Sequence, residues 1–366
     1  MIIFGTRPEA IKMIPLIREV QKDKELELKV VITGQHKDML NQVLERFNIV
    51  ADYDLKIMKK VQTLSYITTS IIQKLDKIIK KEQPDIILVH GDTTTAASSA
   101  IVAFYNKVKI GHVEAGLRTY NKYSPYPEEM NRVLISDLAD LHFAPTQANK
   151  KALIAENISE ENIYVTGNTV IDAVHLTIDK KYKFECEKLN NIDFNNGKKY
   201  ILLTAHRKEN LGEPLENICK AINTLTSKKN DVEVIFPVHF NPKVRETVFE
   251  ILKDNNKVHL LDPIDVFDMH NLMNKIYLVM TDSGGLQEEA PALGKPVLVL
   301  RENTERPEVV ECGAAKIVGT NSQNIVNEAE NLIMDIEAYN KMAKAINPYG
   351  DGHASEKIVK IIKNIK

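Results

Sequence analysis

The chain has 366 residues, too many for one hydrophobic core, so two domains are expected. Its 43% hydrophobic and 27% charged residues are ordinary for a globular enzyme, and a formal net charge of -2 offers no broad attraction for nucleic acid or an acidic membrane surface. No apolar run reaches the roughly 18 residues that span a bilayer, and the start lacks a basic segment leading into an apolar signal core. A cytoplasmic protein is expected. Cys186, Cys219 and Cys312 are odd in number and far apart, with no Cys-x-x-Cys pairing. They suit a reducing compartment and argue against a structural zinc site.

Short apolar runs alternate with amphipathic segments almost throughout. The first series of expected strands is Ile2–Phe4, Leu28–Thr33, Ile86–His90, Ile110–Val113, Leu141–Phe143 and Ile163–Thr166. Between them lie helical patterns such as Leu64–Lys81, with Ile67, Ile71, Ile72, Leu75 and Ile78 on one face. The polar, Asn-rich stretch Lys180–Lys199 breaks the alternation and is read as the domain boundary. A second series follows: Tyr200–Thr204, Val232–Phe236, Val258–Leu261, Ile276–Thr281, Val297–Leu300 and Ala315–Val318, then a final amphipathic helix, Ala354 to Lys363. Alternating strand and helix implies parallel sheets of right-handed βαβ units, here two doubly wound domains. The expected division is 1–178, a linker region 179–198, a second domain 199–348, and a terminal helix within 349–366 that packs back on the first domain.

Ligands of open parallel sheets bind beyond the carboxyl ends of the strands. Polar residues cluster there: Thr6 and Arg7, His90 to Asp92, Glu114, His206 and Arg207, His239, and Asp282 and Ser283. The most informative turn is Thr281-Asp282-Ser283-Gly284-Gly285-Leu286-Gln287-Glu288-Glu289. Ser283 is a helix cap candidate, and Gly284 and Gly285 leave helical N–H groups open to an anion. Glu289 stands one turn on, placed for a sugar hydroxyl pair. The plainer reading is a tight strand-to-helix turn. Arg7 and Lys12 reach toward an anion at the first turn, or Lys12 lies on a solvated helix face. Asp92, Glu114 and Glu128 suit proton transfer. Alternatively, Asp92 is a helix N-cap and Glu128 complements a helix dipole. His206 contacts a diphosphate or donates a proton, or bonds to backbone; Arg306 binds phosphate or pairs with a nearby acid. No dinucleotide fingerprint or P-loop occurs.

Taken together, these residues resemble the non-hydrolysing UDP-N-acetylglucosamine 2-epimerases. The matching blocks include Phe4-Gly5-Thr6-Arg7-Pro8-Glu9-Ala10-Ile11-Lys12, His90-Gly91-Asp92-Thr93-Thr94-Thr95, Gly111-His112-Val113-Glu114-Ala115-Gly116-Leu117-Arg118 and Pro127-Glu128-Glu129. Further matches are Asn131-Arg132, Thr166-Gly167-Asn168-Thr169, Pro237-Val238-His239, Thr281 through Pro291, Glu305-Arg306-Pro307-Glu308 and Asn347 through Gly352. The resemblance implies a glycosyltransferase-B type fold, two Rossmann-like domains around a cleft, and a homodimer. It implies that UDP-N-acetylglucosamine and UDP-N-acetylmannosamine interconvert by loss of the C2 proton and UDP, through 2-acetamidoglucal, and re-addition, supplying surface polysaccharide precursors. Asp92, Glu114, Glu128 and His206 would carry the chemistry. Arg7, Lys12, His206, Ser283, Gly284, Gly285, Glu289 and Arg306 would hold the nucleotide, with Ile264 and Met269 near the uracil. No cofactor or metal is implied.

Some bacterial members carry a second substrate site that activates them. Gln35, His36 and Gln62 match parts of it, whereas Asp38 and Val61 depart from the pattern. The alternatives to the leading reading are a hydrolysing epimerase that releases N-acetylmannosamine, a transferase on the same fold and a nucleotide-sugar sensor. The absence of a separate kinase domain favours the non-hydrolysing enzyme.

Overall fold

The computed structural model describes residues 1–34, 37–59 and 62–364. Contacts divide the chain into two compact units, Met1–Ala173 with Tyr349–Lys366, and Val174–Pro348. The division falls inside one helix, and the polar stretch 179–198 is counted with the second unit.

The first unit runs β1 (Ile2–Phe4), α1 (Arg7–Lys22), β2 (Val30–Ile32), α2 (Lys37–Arg46), β3 (Tyr53–Asp54), α3 (Leu64–Glu82), β4 (Ile86–His90) and α4 (Thr94–Tyr105). It continues with β5 (Lys109–Val113), α5 (Glu128–Leu138), β6 (Leu141–Ala144), α6 (Gln147–Ala155), β7 (Ile163–Val165) and α7 (Thr169–Thr177), the helix that crosses the division. Its strands form a parallel sheet in the order β3-β2-β1-β4-β5-β6-β7. Strand order reverses between β1 and β4, so the switch point, where such sheets bind ligands, lies at the turns after Phe4 and His90. The β3 strand is an addition to the sequence reading. Tyr53 and Asp54 show no period of their own and are defined by pairing with Val31 and Ile32.

The second unit runs α8 (Glu187–Asn190), β8 (Lys199–Thr204), α9 (Glu213–Lys228), β9 (Val232–Pro237), α10 (Pro242–Leu252), β10 (Val258–Leu261), α11 (Val266–Lys275) and β11 (Leu278–Thr281). Then come α12 (Gly284–Ala292), β12 (Val297–Val299), α13 (Pro307–Glu311), β13 (Ala315–Ile317), α14 (Ser322–Met334) and α15 (Ile336–Ala343). The sheet order β10-β9-β8-β11-β12-β13 puts its switch point at the turns after Thr204 and Thr281. Helices cover both faces of parallel sheets, which is why the strands read as near-continuous apolar runs. Ile201, Leu203, Val234, Phe236, Met280 and Leu298 are wholly buried with Ile218, Ile222 and Leu225 of α9. In the first unit Ile3, Val89 and Ile110 pack with Ile71 and Leu75 of α3 and Ala100 of α4.

The last helix, α16 (Ala354–Lys363), packs on α1 of the first unit. Lys363 holds Asp23 at 2.7 Å, and the Asp172 carboxylate accepts from the N–H groups of Ala354 and Ser355 at the helix start. No helix among the described residues is long and apolar enough to cross a membrane.

Candidate functional site

In the first unit the polar groups gather at the β1/β4 switch point. Thr6 caps α1 in a capping box with Glu9. The Glu9 carboxylate also accepts from the Gly5 N–H at 3.1 Å and the Thr93 hydroxyl at 2.7 Å, tying the two turns together. Burial pushes its pKa up, against the pull of those donors and the Thr6 groups. Glu9 was given no role from sequence, because a capping-box glutamate looks local.

Lys12, one turn and a half into α1, donates to Glu114 Oε2 at 2.5 Å. Asn168 Nδ2 donates to the same oxygen at 2.9 Å, and His90 Nε2 stands 3.6 Å from it. Glu114 holds φ 64°, a left-handed conformation costing a side chain about 1–2 kcal/mol. Observed backbone strain of this kind concentrates at functional sites. His90 is buried, and burial pushes its pKa down to about 4, so it is a neutral imidazole beside the carboxylate.

Asp92 does not cap α4. Thr93 takes that position, accepting from the Ala96 N–H at 3.0 Å. Asp92 is instead held by Arg132, whose Nη2 and Nε lie 2.6 and 3.0 Å from Oδ2. The same guanidinium reaches Glu129 at 2.9 Å, and Glu129 also accepts from the N–H groups of Thr119 and Tyr120. Burial works to raise the Glu129 pKa, but these donors outweigh it and hold the group below the ordinary carboxylate range. Its neighbour Glu128 opens α5, is half-buried, and its side chain makes no hydrogen bond or ion pair among the described residues. Arg7 begins α1 at the turn after β1 and is half-buried.

In the second unit the turns after β8 and β11 interlock. Asp282, fully buried, accepts at Oδ2 from the N–H groups of His206 at 2.7 Å and Arg207 at 2.8 Å, and from Asn210 Nδ2 at 3.1 Å. Its Oδ1 faces His206 Nδ1 at 3.3 Å. The His206 ring stacks on His239 at 5.4 Å between centroids. Burial lowers the His206 pKa, and the Asp282 charge opposes this. Asp282 therefore builds the loop that presents His206 and Arg207, a role the sequence reading left unassigned.

Ser283 occupies the N-cap position of α12, but its side chain makes no capping bond; its N–H donates to Thr281 Oγ1 at 2.9 Å. Gly284 follows. A methyl group on it would lie 3.9 Å from the Arg207 guanidinium and 3.9 Å from that of Arg306. Two cations thus converge on a bare helix N-terminus, an arrangement suited to seating an anion. Arg306 is oriented by Glu288, whose buried carboxylate accepts from its Nε. Glu289 places Oε1 over Gly285 and Oε2 3.4 Å from His270 Nε2. Ile264 lies in the loop between β10 and α11. Met269 lies within α11, where its N–H donates to the Asp265 carbonyl at 2.9 Å, so that donor is committed to the helix. Gln62 donates to the Lys59 carbonyl at 3.3 Å; Gln35, His36 and Val61 lie outside the described residues, as does the side chain of Asp38.

Residues 18–363 match the UDP-N-acetylglucosamine 2-epimerase family model. The chain belongs to the UDP-N-acetylglucosamine 2-epimerase family. It is 52% identical over 359 residues to the Bacillus subtilis UDP-N-acetylglucosamine 2-epimerase, covering 98% of this chain and 93% of the relative. Among solved structures, the Neisseria meningitidis UDP-GlcNAc 2-epimerase bound to UDP-GlcNAc superposes with a TM-score of 0.84 at 48% identity, covering 99% of each chain. S. aureus MnaA with UDP gives 0.85 at 50% identity, covering 99% of this chain and 95% of that one. Family membership and the Rossmann-like α/β fold expected from the sequence both stand on these matches.

Proposed function

We propose that the chain interconverts UDP-N-acetylglucosamine and UDP-N-acetylmannosamine by reversible epimerisation at C2. The observation that carries the reading is the seat at Gly284, where Arg207 and Arg306 meet the helix N-terminus. A hydrogen on C2 is only weakly acidic. Its removal becomes feasible when the C1–oxygen bond breaks in concert and the electron pair leaves with UDP. The negative charge then develops on the diphosphate, where helix N–H groups and two guanidinium groups stabilise it. The products of this half-reaction are UDP and 2-acetamidoglucal. Re-addition of the UDP oxygen to C1, with a proton delivered to the other face of C2, completes the exchange.

The first unit supplies the proton chemistry in this reading. Asp92 and Glu114 are each held against a cation, whereas Glu128 is not, so Glu128 exchanges a proton with the least rearrangement. Arg7 assists the anion and His206 contacts it or donates a proton. Glu289 holds the ribose hydroxyls, with the loop at Ile264 near the base. A homodimer in a reducing cytoplasm, consistent with three free cysteines, completes the proposal. A second, activating substrate site at Gln35, His36 and Gln62 is tested by initial rates: sigmoidal curves made hyperbolic by His36→Ala support it, and hyperbolic wild-type curves oppose it.

The deciding experiment incubates the protein with UDP-N-acetylglucosamine in deuterated water. Deuterium at C2 of a product that still carries UDP is expected. Free N-acetylmannosamine would indicate the hydrolysing reaction, and an unlabelled C2 would remove epimerisation altogether.

A further inference from the structure

We propose that His270 is the positioning residue for Glu289, and that with Thr177 it sets the enzyme's preference for a ribonucleotide over a deoxyribonucleotide. The inference rests on the reading of Glu289 as the ribose acceptor. His270 is wholly buried on α11. Its Nδ1 lies 2.7 Å from Thr177 Oγ1, at the end of α7. Its Nε2 has no hydrogen-bond partner among the described residues and faces Glu289 Oε2 at 3.4 Å.

A carboxylate accepts and cannot donate, so a bare nitrogen lone pair facing it would be repelled. Nε2 must therefore carry a hydrogen. The Thr177 hydroxyl permits this in either ring state. With the ring neutral it donates to Nδ1; with both nitrogens protonated it accepts from Nδ1 and turns its proton to the Val174 carbonyl, 2.9 Å away. In both arrangements Nε2 offers an N–H to Glu289 Oε2, 3.4 Å away, a contact that closes to a hydrogen bond when the carboxylate takes the ribose. Asn271, next on α11, accepts from the Asp179 N–H and donates to the Thr177 carbonyl, both at 2.9 Å, so the tether on the ring is itself held.

The two oxygens of Glu289 thus have separate surroundings. Oε1 lies over Gly285 at the anion seat, and Oε2 is directed by His270. A carboxylate fixed in one orientation loses less freedom when it accepts two vicinal hydroxyls. Binding of a nucleotide that lacks the 2′-hydroxyl gains nothing from that fixation.

The test measures dissociation constants for UDP and 2′-deoxy-UDP by calorimetry on the full chain. Glu289→Gln should shrink the UDP preference. His270→Leu should shrink it about tenfold, the loss expected for one hydrogen bond to a charged group. His270→Gln, which keeps a donor near the Nε2 position, should restore part of it. Adding His270→Leu to Glu289→Gln should have no further effect on the ratio. If His270→Leu fails to fold, Thr177→Val carries the test, because it keeps the ring and loosens its tether; a reduced ratio is expected. A full preference in the His270 and Thr177 variants with a reduced one in Glu289→Gln overturns the inference alone. A full preference in Glu289→Gln overturns the ribose reading of Glu289 as well.

Discussion

Lys12 Nζ lies 2.5 Å from Glu114 Oε2 in the first unit. A lysine so placed is expected to act on the carboxylate rather than directly on a phosphate. Lys12→Met should therefore lower turnover while leaving the UDP dissociation constant within about threefold. Glu114→Gln should also lower turnover, and the double variant should be no slower than the worse single one, since coupled residues are not additive. A UDP constant raised more than about tenfold by Lys12→Met, the loss of a charged hydrogen bond, would return the lysine to the phosphate.

Glu128 and Glu129 are adjacent and should separate cleanly. Glu129 is buried in an ion pair with Arg132 and accepts two backbone N–H groups. Breaking such a pair costs about 3–5 kcal/mol. Glu129→Gln should lower the denaturation midpoint accordingly, and it should slow turnover through the shared Arg132–Asp92 contact. Glu128→Gln should change stability by no more than about 0.5 kcal/mol and still slow turnover strongly. Equal stability losses in the two variants would sink the distinction.

That pair also shows what the sequence could carry. The family resemblance singles out the block Pro127-Glu128-Glu129, but the two carboxylates are chemically alike and differ by one residue. Only the return of Arg132 beneath the turn, bridging Glu129 and Asp92, tells them apart. The same holds for Asp92 and Thr93, both good cap residues locally; the guanidinium 40 residues on decides. Alternating apolar runs located the strands well, because both faces of each sheet are buried. The polar supports were missed where their partners are distant: Asp282 to His206 and Asn210, and Glu9 to Thr93.

Three buried histidines in the first sheet predict an acid-sensitive window. Burial lowers the pKa of His90 and His142 to about 4 and of His112 to about 3, from an ordinary 6.5. The unfolded chain binds these protons first on acidification. Stability is thus complete above pH 6.5 and falls as the pH drops toward 4. For His90 the contribution is on the order of 3 kcal/mol. Glu129, held below the ordinary carboxylate range, adds its loss only at lower pH. Urea midpoints should fall between pH 6.5 and 4.5, and His112→Asn should flatten that fall. A midpoint independent of pH across this window would contradict neutral burial.

Gly284 offers the sharpest separation of binding from folding. Its backbone is not in the left-handed region, and a methyl group there meets the Arg207 and Arg306 ends at ordinary contact distance, 3.9 Å. Gly284→Ala therefore fits the apo protein without strain, and replacing a helical glycine favours folding slightly, by about 0.4–1 kcal/mol. The methyl group nevertheless occupies the approach to the helix N–H groups, where a phosphate oxygen must come within about 3 Å. Calorimetry should show UDP affinity reduced at least tenfold while the thermal midpoint holds or rises. Arg207→Leu and Arg306→Leu should each weaken UDP and flatten its salt dependence, because each removes one cation from the seat. Undiminished UDP binding by Gly284→Ala would mean that the diphosphate docks elsewhere.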